Sequence, residues 1–277
     1  DPLGIRPLVL GSIGNAKIIS SETCALDIIG AKFEREILNG EIVVIDNDGL
    51  KTYNPFKNTK LRPCIFEYIY FARPDSILGG KSVYQCRKYM GKFLAKESFI
   101  KGDIIIPVPD SGVPAALGYA EESKIPFDLG IIRNHYVGRT FIEPTQKIRK
   151  LGIKLKHNPN KDLIKGKKVV LVDDSIVRGT TAIKIIEMIK EAQASEIHMR
   201  ISSPPIKYPD YYGIDTPRKD ELIASTLSVE EIAKKLGVNS LYFLSIKGLY
   251  NAMGYKNRDE KTPQYTDHCF TGDYPTE

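Results

Sequence analysis

The stretch from Val169 to Thr181, V-V-L-V-D-D-S-I-V-R-G-T-T, limits what this chain can fold into more than any other. Val169, Val170, Leu171 and Val172 make a short all-apolar run, the pattern of a strand buried on both faces of a parallel sheet. Asp173 and Asp174 follow where that strand must end. Ser175, Ile176, Val177, Arg178, Gly179, Thr180 and Thr181 then form a hydroxyl-rich loop, and its glycine lets backbone come close to a ligand with no Cβ in the way. Ala182, Ile185, Ile186 and Ile189 recur at helical spacing. A strand, two acids, a loop and a helix start make an anion cradle. The N–H groups of the loop and first turn converge on one spot, and the helix dipole favours negative charge there. The loop has no Lys of the G-x-x-x-x-G-K-[ST] kind, and the chain holds no G-x-G-x-x-G, so a nucleoside triphosphate tail is not the expected anion.

The paired carboxylates add recognition of a sugar. A carboxylate only accepts, so two at a strand tip can take the vicinal hydroxyls of a ribose whose phosphate lies in the loop, and can hold a hydrated Mg²⁺. Asp-Asp-Ser alone also suits an ordinary polar turn with a helix cap. The thirteen residues in this order resemble the phosphoribosyl-pyrophosphate (PRPP) binding motif of the type I phosphoribosyltransferases.

At 277 residues the chain is long enough for one large domain or two ordinary ones, and 42% hydrophobic with 27% charged residues is a soluble globular mix. No apolar run approaches a membrane span, and nothing at the start reads as a signal peptide. The first residues are Asp1-Pro2 with no Met, so a processed product or a fragment is expected. Cys24, Cys64, Cys86 and Cys269 are widely spaced with no C-x-x-C, which favours reduced thiols in a cytoplasmic setting. The net charge of +6 invites a nucleic-acid reading, but between Arg133 and Lys156 seven basic residues face Glu143 alone. That one segment holds the whole excess, and beside a phosphate loop it suits a polyanionic small molecule. No helix-turn-helix, zinc finger or RNA-binding aromatic motif supports nucleic acid.

Along the chain, residues 1–60 read as β-rich material with one short helix. Strands fall at Pro7–Leu10 and Ala16–Ser20, a helix at Thr23–Gly30 with Ser20 or Ser21 as its cap, and a hairpin turns through Asp46-Asn47-Asp48-Gly49. Sixty residues cannot build a core of this type alone, so they look like the end of a larger β-rich domain. A Pro-punctuated linker at 54–63 leads to Cys64–Ser76, expected as an aromatic strand, and a helix over Tyr84–Ser98. From Lys101 strand and helix alternate: a strand at Asp103–Pro107, the loop Pro109–Pro114, a helix through Ser123, a strand at Asp128–Arg133, the strand and helix of the acidic motif, and a strand at 196–201. That alternation implies a parallel sheet with helices on both faces, which binds ligands at the carboxyl ends of its strands. Residues 203–227 read as a lid or packed loop, Ser228 and Glu231 as a capping box, and the polar tail from Gly254 as surface wrapping.

With these segments in place, the chain resembles the glutamine PRPP amidotransferases. Asp1–Leu8, Phe66–Ser76, Tyr136–Ile142, the PRPP motif and Tyr212-Gly213-Ile214-Asp215 all look like segments of that family. The resemblance implies a type I phosphoribosyltransferase domain over 61–253, preceded at 1–60 by the end of an N-terminal-nucleophile glutaminase domain and followed by a tail at 254–277. It implies displacement of pyrophosphate from PRPP by ammonia, giving 5-phosphoribosylamine, the first step of de novo purine synthesis. Asp173 and Asp174 would hold the ribose and Mg²⁺, and Ser175 to Thr181 the 5-phosphate. Asp110, Ser111 and Gly112 would form a pyrophosphate loop with Ser111 near the metal, and Arg139, Tyr136 and Arg133 would belong to a closing lid. The family's nucleophile is an N-terminal Cys, which Asp1 is not, so this chain is expected to use ammonia only. Some members hold a four-cysteine iron–sulfur cluster. Here Cys64 and Cys269 match, but Asp210 and Thr266 stand at the other two positions, so a cluster is not expected. Purine nucleotides as feedback inhibitors and a homo-oligomer complete the expectation. A PRPP-binding regulator without turnover and a free-base phosphoribosyltransferase remain alternatives.

Overall fold

The computed structural model describes residues 1–56, 60–134 and 157–276. Three antiparallel strands come first: β1 (Val9–Ile13) lies between β2 (Ala16–Ser20) and β3 (Lys32–Glu36), with helix α1 (Thr23–Ile28) between the outer two in sequence. A hairpin follows, β4 (Ile42–Asp46) with β5 (Gly49–Tyr53), in the register expected around Asp46–Gly49. A short hairpin, β6 (Ile77–Leu78) and β7 (Lys81–Ser82), leads into the long helix α2 (Val83–Glu97).

The centre is a four-stranded parallel sheet. Its strands are β8 (Ile104–Pro107), β11 (Lys168–Asp173), β12 (Glu196–Ile201) and β13 (Ser240–Phe243), in the order β13-β12-β11-β8. Helix α3 (Val113–Ser123) follows β8. Strands β9 (Ile131–Arg133) and β10 (His157–Pro159) precede the short helix α4 (Lys161–Ile164). Helix α5 (Thr180–Glu191) follows β11. The remaining helices are α6 (Ile223–Thr226), α7 (Val229–Leu236), α8 (Ile246–Ala252) and α9 (His268–Thr271).

The two-residue period of a strand divides the core. Ile105, Val170 and Val172 point to one face and pack with Met90 and Leu94 of α2, Ala115 and Tyr119 of α3, and Leu249 of α8. Ile104, Ile106, Val169, Leu171, Ile197 and Met199 point to the other, against Ile185, Ile186 and Ile189 of α5 and Ile232 and Leu236 of α7. The run 169–172 of β11 is therefore apolar at every position, whereas β12 alternates Ile197 and Met199 with the buried His198 and Arg200. The capping box at Ser228 forms, with the Ser228 hydroxyl accepting from Glu231 N–H and the Glu231 carboxylate accepting from Ser228 N–H.

Four expectations are corrected. Cys64–Ser76 is not a strand: after a single bridge from Cys64 to Thr266, the chain coils into a π-helical segment at Glu67–Phe71. A short apolar run carries no periodicity that separates strand from helix. Asp128–Arg133 does not join the parallel sheet as a strand. Only Phe127 bridges to Ile105, and β9 turns away to pair antiparallel with β10. Neither Ser20 nor Ser21 caps α1, whose N-cap is Glu22. The Glu22 carboxylate accepts instead from Arg73 N–H at 2.8 Å and Ser76 Oγ at 2.6 Å, across to the next part of the chain. The tail does not merely wrap the surface, since Tyr265, Thr266, Asp267, His268, Cys269 and Phe270 are all buried. Asp267 anchors it, accepting from the Arg258 guanidinium at 2.8 Å and the Tyr250 hydroxyl at 2.9 Å.

Candidate functional site

Strand β11 ends at Asp173, and both Asp173 and Asp174 are buried at the carboxyl edge of the parallel sheet. Asp174 N–H donates to Asp173 Oδ1 at 2.9 Å, and Ser175 Oγ donates to Asp174 Oδ2 at 2.6 Å. Burial, and then the neighbouring Asp174 charge, push the Asp173 carboxyl well above the usual carboxylate range.

Beyond them the loop runs to Gly179, the N-cap of α5, at φ +78°. A Cβ here would need a left-handed backbone and would meet Ile223 Cδ1 at 2.9 Å, so a side chain is excluded twice. Gly179 also brings no side-chain acceptor to the first turn of α5, which leaves its N–H groups directed at the loop. Opposite stands the turn after β8. Gly112 packs so tightly that a Cβ would fall 2.5 Å from Val172 O and 2.9 Å from Val108 O, which seats Ser111 beside the tip of β11.

These parts share one cavity of about 500 Å³. Ser111, Asp173, Asp174 and every residue from Ser175 to Thr181 line it. Ile176 is buried, and Val177 O accepts from Ile223 N–H, which ties the loop to α6. Arg178 turns its guanidinium to Glu221 at 3.0 Å. Asp110 and Gly112 do not line the cavity. The Asp110 carboxylate is ion-paired with Arg133, which is likewise outside the lining. Tyr136 and Arg139 lie outside the described residues.

The wall has further parts, of which only the 203–227 excursion was read from the sequence, as a lid or packed loop. Phe66 at the N-cap of the π-helical segment, Tyr70 and Phe71 within it, His157, and Ile206, Asp210 and Ile214 to Pro217 of the excursion after β12 all line the cavity. The aromatic density of 66–71 was a signal, but it reads equally as core. Asp210 organises the excursion: its Oδ1 accepts from Tyr212 N–H at 2.7 Å and Ile214 N–H at 2.9 Å, and its Oδ2 lies 3.0 Å from His268 Nε2. Burial works to raise its carboxyl, but these contacts outweigh it and hold the group low.

That commitment bears on an iron–sulfur cluster. Asp210 is engaged with His268 and two N–H groups, and the Thr266 hydroxyl donates to Arg62 O at 2.6 Å. Burial pushes the Cys64 thiol up to about 12 and raises Cys269 as well, the opposite of what thiolate ligands need. These residues do not fit a cluster. Mg²⁺ is a different matter: two hard carboxylates beside a serine hydroxyl suit an ion that keeps several of its own oxygens.

A parallel sheet with an acidic strand tip, a hydroxyl loop and a helix N-terminus around one cavity is the type I phosphoribosyltransferase fold, and residues 77–204 match the phosphoribosyl transferase domain family. The relatives that align with this chain from end to end are amidophosphoribosyltransferases. It is 60% identical to that of Rhizobium etli over 100% of this chain and 57% of the relative. With that of Bacillus subtilis it shares 49% identity over 100% of this chain and 58% of the relative. Among solved structures, the glutamine PRPP amidotransferase from B. subtilis, complexed with ADP and GMP, superposes with a TM-score of 0.91 at 49% identity, covering 100% of this chain and 61% of that one. The structure of "the allosteric regulatory enzyme of purine biosynthesis" gives 0.91 at 48%, covering 100% and 59%. The chain thus spans between half and two thirds of the length of the proteins it matches. Among the described residues no helix is long and apolar enough to cross a membrane.

Proposed function

We propose that this chain carries the phosphoribosyl-transfer site of an amidophosphoribosyltransferase and converts PRPP and ammonia to 5-phosphoribosylamine and pyrophosphate. The observation that carries this reading is the cavity where Asp173 and Asp174, the 175–181 loop and Ser111 meet. In this reading the first-turn N–H groups of α5 with Thr180 and Thr181 take the 5-phosphate, and the two carboxylates take the ribose hydroxyls. That fixes the anomeric carbon towards Ser111. The ammonia lone pair forms the new C–N bond as the bond from the anomeric carbon to pyrophosphate breaks, and the nitrogen then sheds one proton. Ammonia needs no base to become nucleophilic.

Mg²⁺, held by Asp173, Asp174 and Ser111 with substrate oxygens completing its shell, would offset charge gathering on the departing pyrophosphate. Arg133, with Tyr136 and Arg139, would close over the substrate and keep water from a carbon that otherwise hydrolyses. Residues 1–60 would be the end of a glutaminase domain, which in the longer protein supplies ammonia from glutamine. Feedback by purine nucleotides and a homo-oligomeric state belong to the same reading. ADP and GMP in the B. subtilis relative support the first.

The test is pyrophosphate release from PRPP with ammonium and Mg²⁺. Release above the rate of plain hydrolysis supports the reading. Binding of PRPP without release marks a sensor, and release only with a purine or pyrimidine base marks a base transferase; either overturns it.

A further inference from the structure

Ile214, Asp215, Thr216 and Pro217, which line the cavity, stand on irregular backbone in the excursion after β12. Asp210 closes this turn on itself. Besides the two N–H groups that its carboxylate takes, its own N–H donates to Thr216 Oγ1 at 2.6 Å. Bonds within a turn set its shape. They do not set where the turn sits over the cavity, and a loop placed by few contacts opens at little cost.

The carboxyl-terminal tail supplies placing contacts. Just ahead of the turn, Cys269 O accepts from Lys207 N–H at 2.9 Å and from Tyr208 N–H at 3.1 Å. The half-buried Tyr274 then takes hold of the turn itself. Its hydroxyl donates to Pro209 O at 2.8 Å, a carbonyl outside any helix or strand. Its ring lies 5.4 Å from that of Tyr211 and 4.9 Å from that of His268, and the His268 ring meets Tyr212 edge-on at 5.1 Å. Aromatic rings at these separations attract one another beyond the area they bury, and an interlocked set resists sliding. Gly272 fits the tail to this place: at φ +78°, a Cβ on it would fall 2.9 Å from the Tyr208 ring. Tyr274 itself does not line the cavity and would touch no substrate.

We propose that Tyr274 is a positioning residue of the phosphoribosyl site, fixing through Pro209, Tyr211 and His268 the wall at 214–217 that keeps water from the reacting carbon. The inference rests on the phosphoribosyl-transfer reading above. Water admitted past a displaced wall completes a competing reaction. Its oxygen bonds to the anomeric carbon as the bond to pyrophosphate breaks, a proton is shed, and ribose 5-phosphate forms in place of the amine. Tyr274 therefore acts on the choice between two nucleophiles.

The experiment compares Tyr274→Phe and Tyr274→Ala with the unaltered chain. Pyrophosphate release from PRPP and Mg²⁺ is measured with and without ammonium, less the release without protein, and the two rates are expressed as a ratio. Unfolded chain lowers both rates alike, so a merely structural role leaves the ratio where it was. Tyr274→Ala should lower it at least about fivefold, and Tyr274→Phe, which keeps the ring and loses the hydroxyl, should fall between. Hydrogen–deuterium exchange without ligand follows the peptide spanning 209–217 against that of β11, and only the first should quicken. An unchanged ratio in a folded Tyr274→Ala overturns the proposal, and so does exchange that quickens equally in both peptides. Should that variant not fold, Tyr274→Phe decides by the same two readouts. If the unaltered chain shows no ammonium-dependent release, the functional reading fails, while the exchange comparison, which needs no turnover, still decides whether Tyr274 holds the wall.

Discussion

Glu67 offers the sharpest physical test of how this fold is held together. It is a carboxylate on the first turn of the π-helical segment, with its side chain only 5% exposed, and its partner is Arg6 at 3.0 Å, which also lies over the Phe71 ring at 4.6 Å. Burial pushes the Glu67 carboxyl up to about 7 from an ordinary 4.5, although Arg6 pulls the other way. The folded chain then binds this proton more tightly than the unfolded chain. Stability from Glu67 is thus present below about pH 4.5 and is lost as pH rises through the folded pKa near 7. Between pH 5 and pH 8 the two values give a loss of about 2.5 kcal/mol, or roughly 5 to 10 °C in Tm for a chain of this size. Glu67→Gln removes the titration and keeps the shape, so its stability relative to the natural chain should improve by about that amount over the same range. The assay is urea unfolding at several pH values, followed by far-UV circular dichroism because the chain has no Trp. Arg6→Met should act in the opposite sense and deepen the loss, since Glu67 then ionises with no cation beside it. If natural chain and Glu67→Gln lose stability in parallel from pH 5 to 8, the buried-carboxylate account is wrong.

Three further outcomes follow from the site. Asp173→Asn should stabilise the ligand-free chain above neutral pH, because it removes a buried charge that Asp174 repels, yet abolish Mg²⁺-dependent PRPP turnover; thermal melts and the pyrophosphate assay check the pair. Gly179→Ala should weaken PRPP binding at least tenfold in titration calorimetry, since the left-handed backbone and the Ile223 contact both resist a Cβ. Asp210→Ala should leave two N–H groups without their acceptor and remove the carboxylate beside His268, costing about 2 to 4 kcal/mol in chemical unfolding; a cost under about 0.5 kcal/mol sinks the idea that Asp210 organises the excursion.

What was legible in the sequence was local. The apolar run 169–172 had to be a strand with both faces covered, because no residue in it tolerates water. Asp173, Asp174 and the loop to Thr181 then had to lie at its end, where the chain is continuous. The Ser228 box and the Asp46–Gly49 turn were equally readable, since each is settled by hydrogen bonds over three or four residues.

Other features were decided only by distant partners. Whether Glu67–Phe71 coils or extends depends on Arg87, nearly twenty residues away, supplying donors for its carbonyls. Whether Asp128–Arg133 stays in the sheet depends on β10, which pairs with its end instead. The polar tail is buried because Tyr250 and Arg62 meet it with donors that hydropathy cannot register, and its own Arg258 pairs with Asp267. Short-range rules follow from the chain's own geometry and are written residue by residue. Burial of a charge or a choice between coil and strand is a balance of solvation against partners that only the folded arrangement brings within reach.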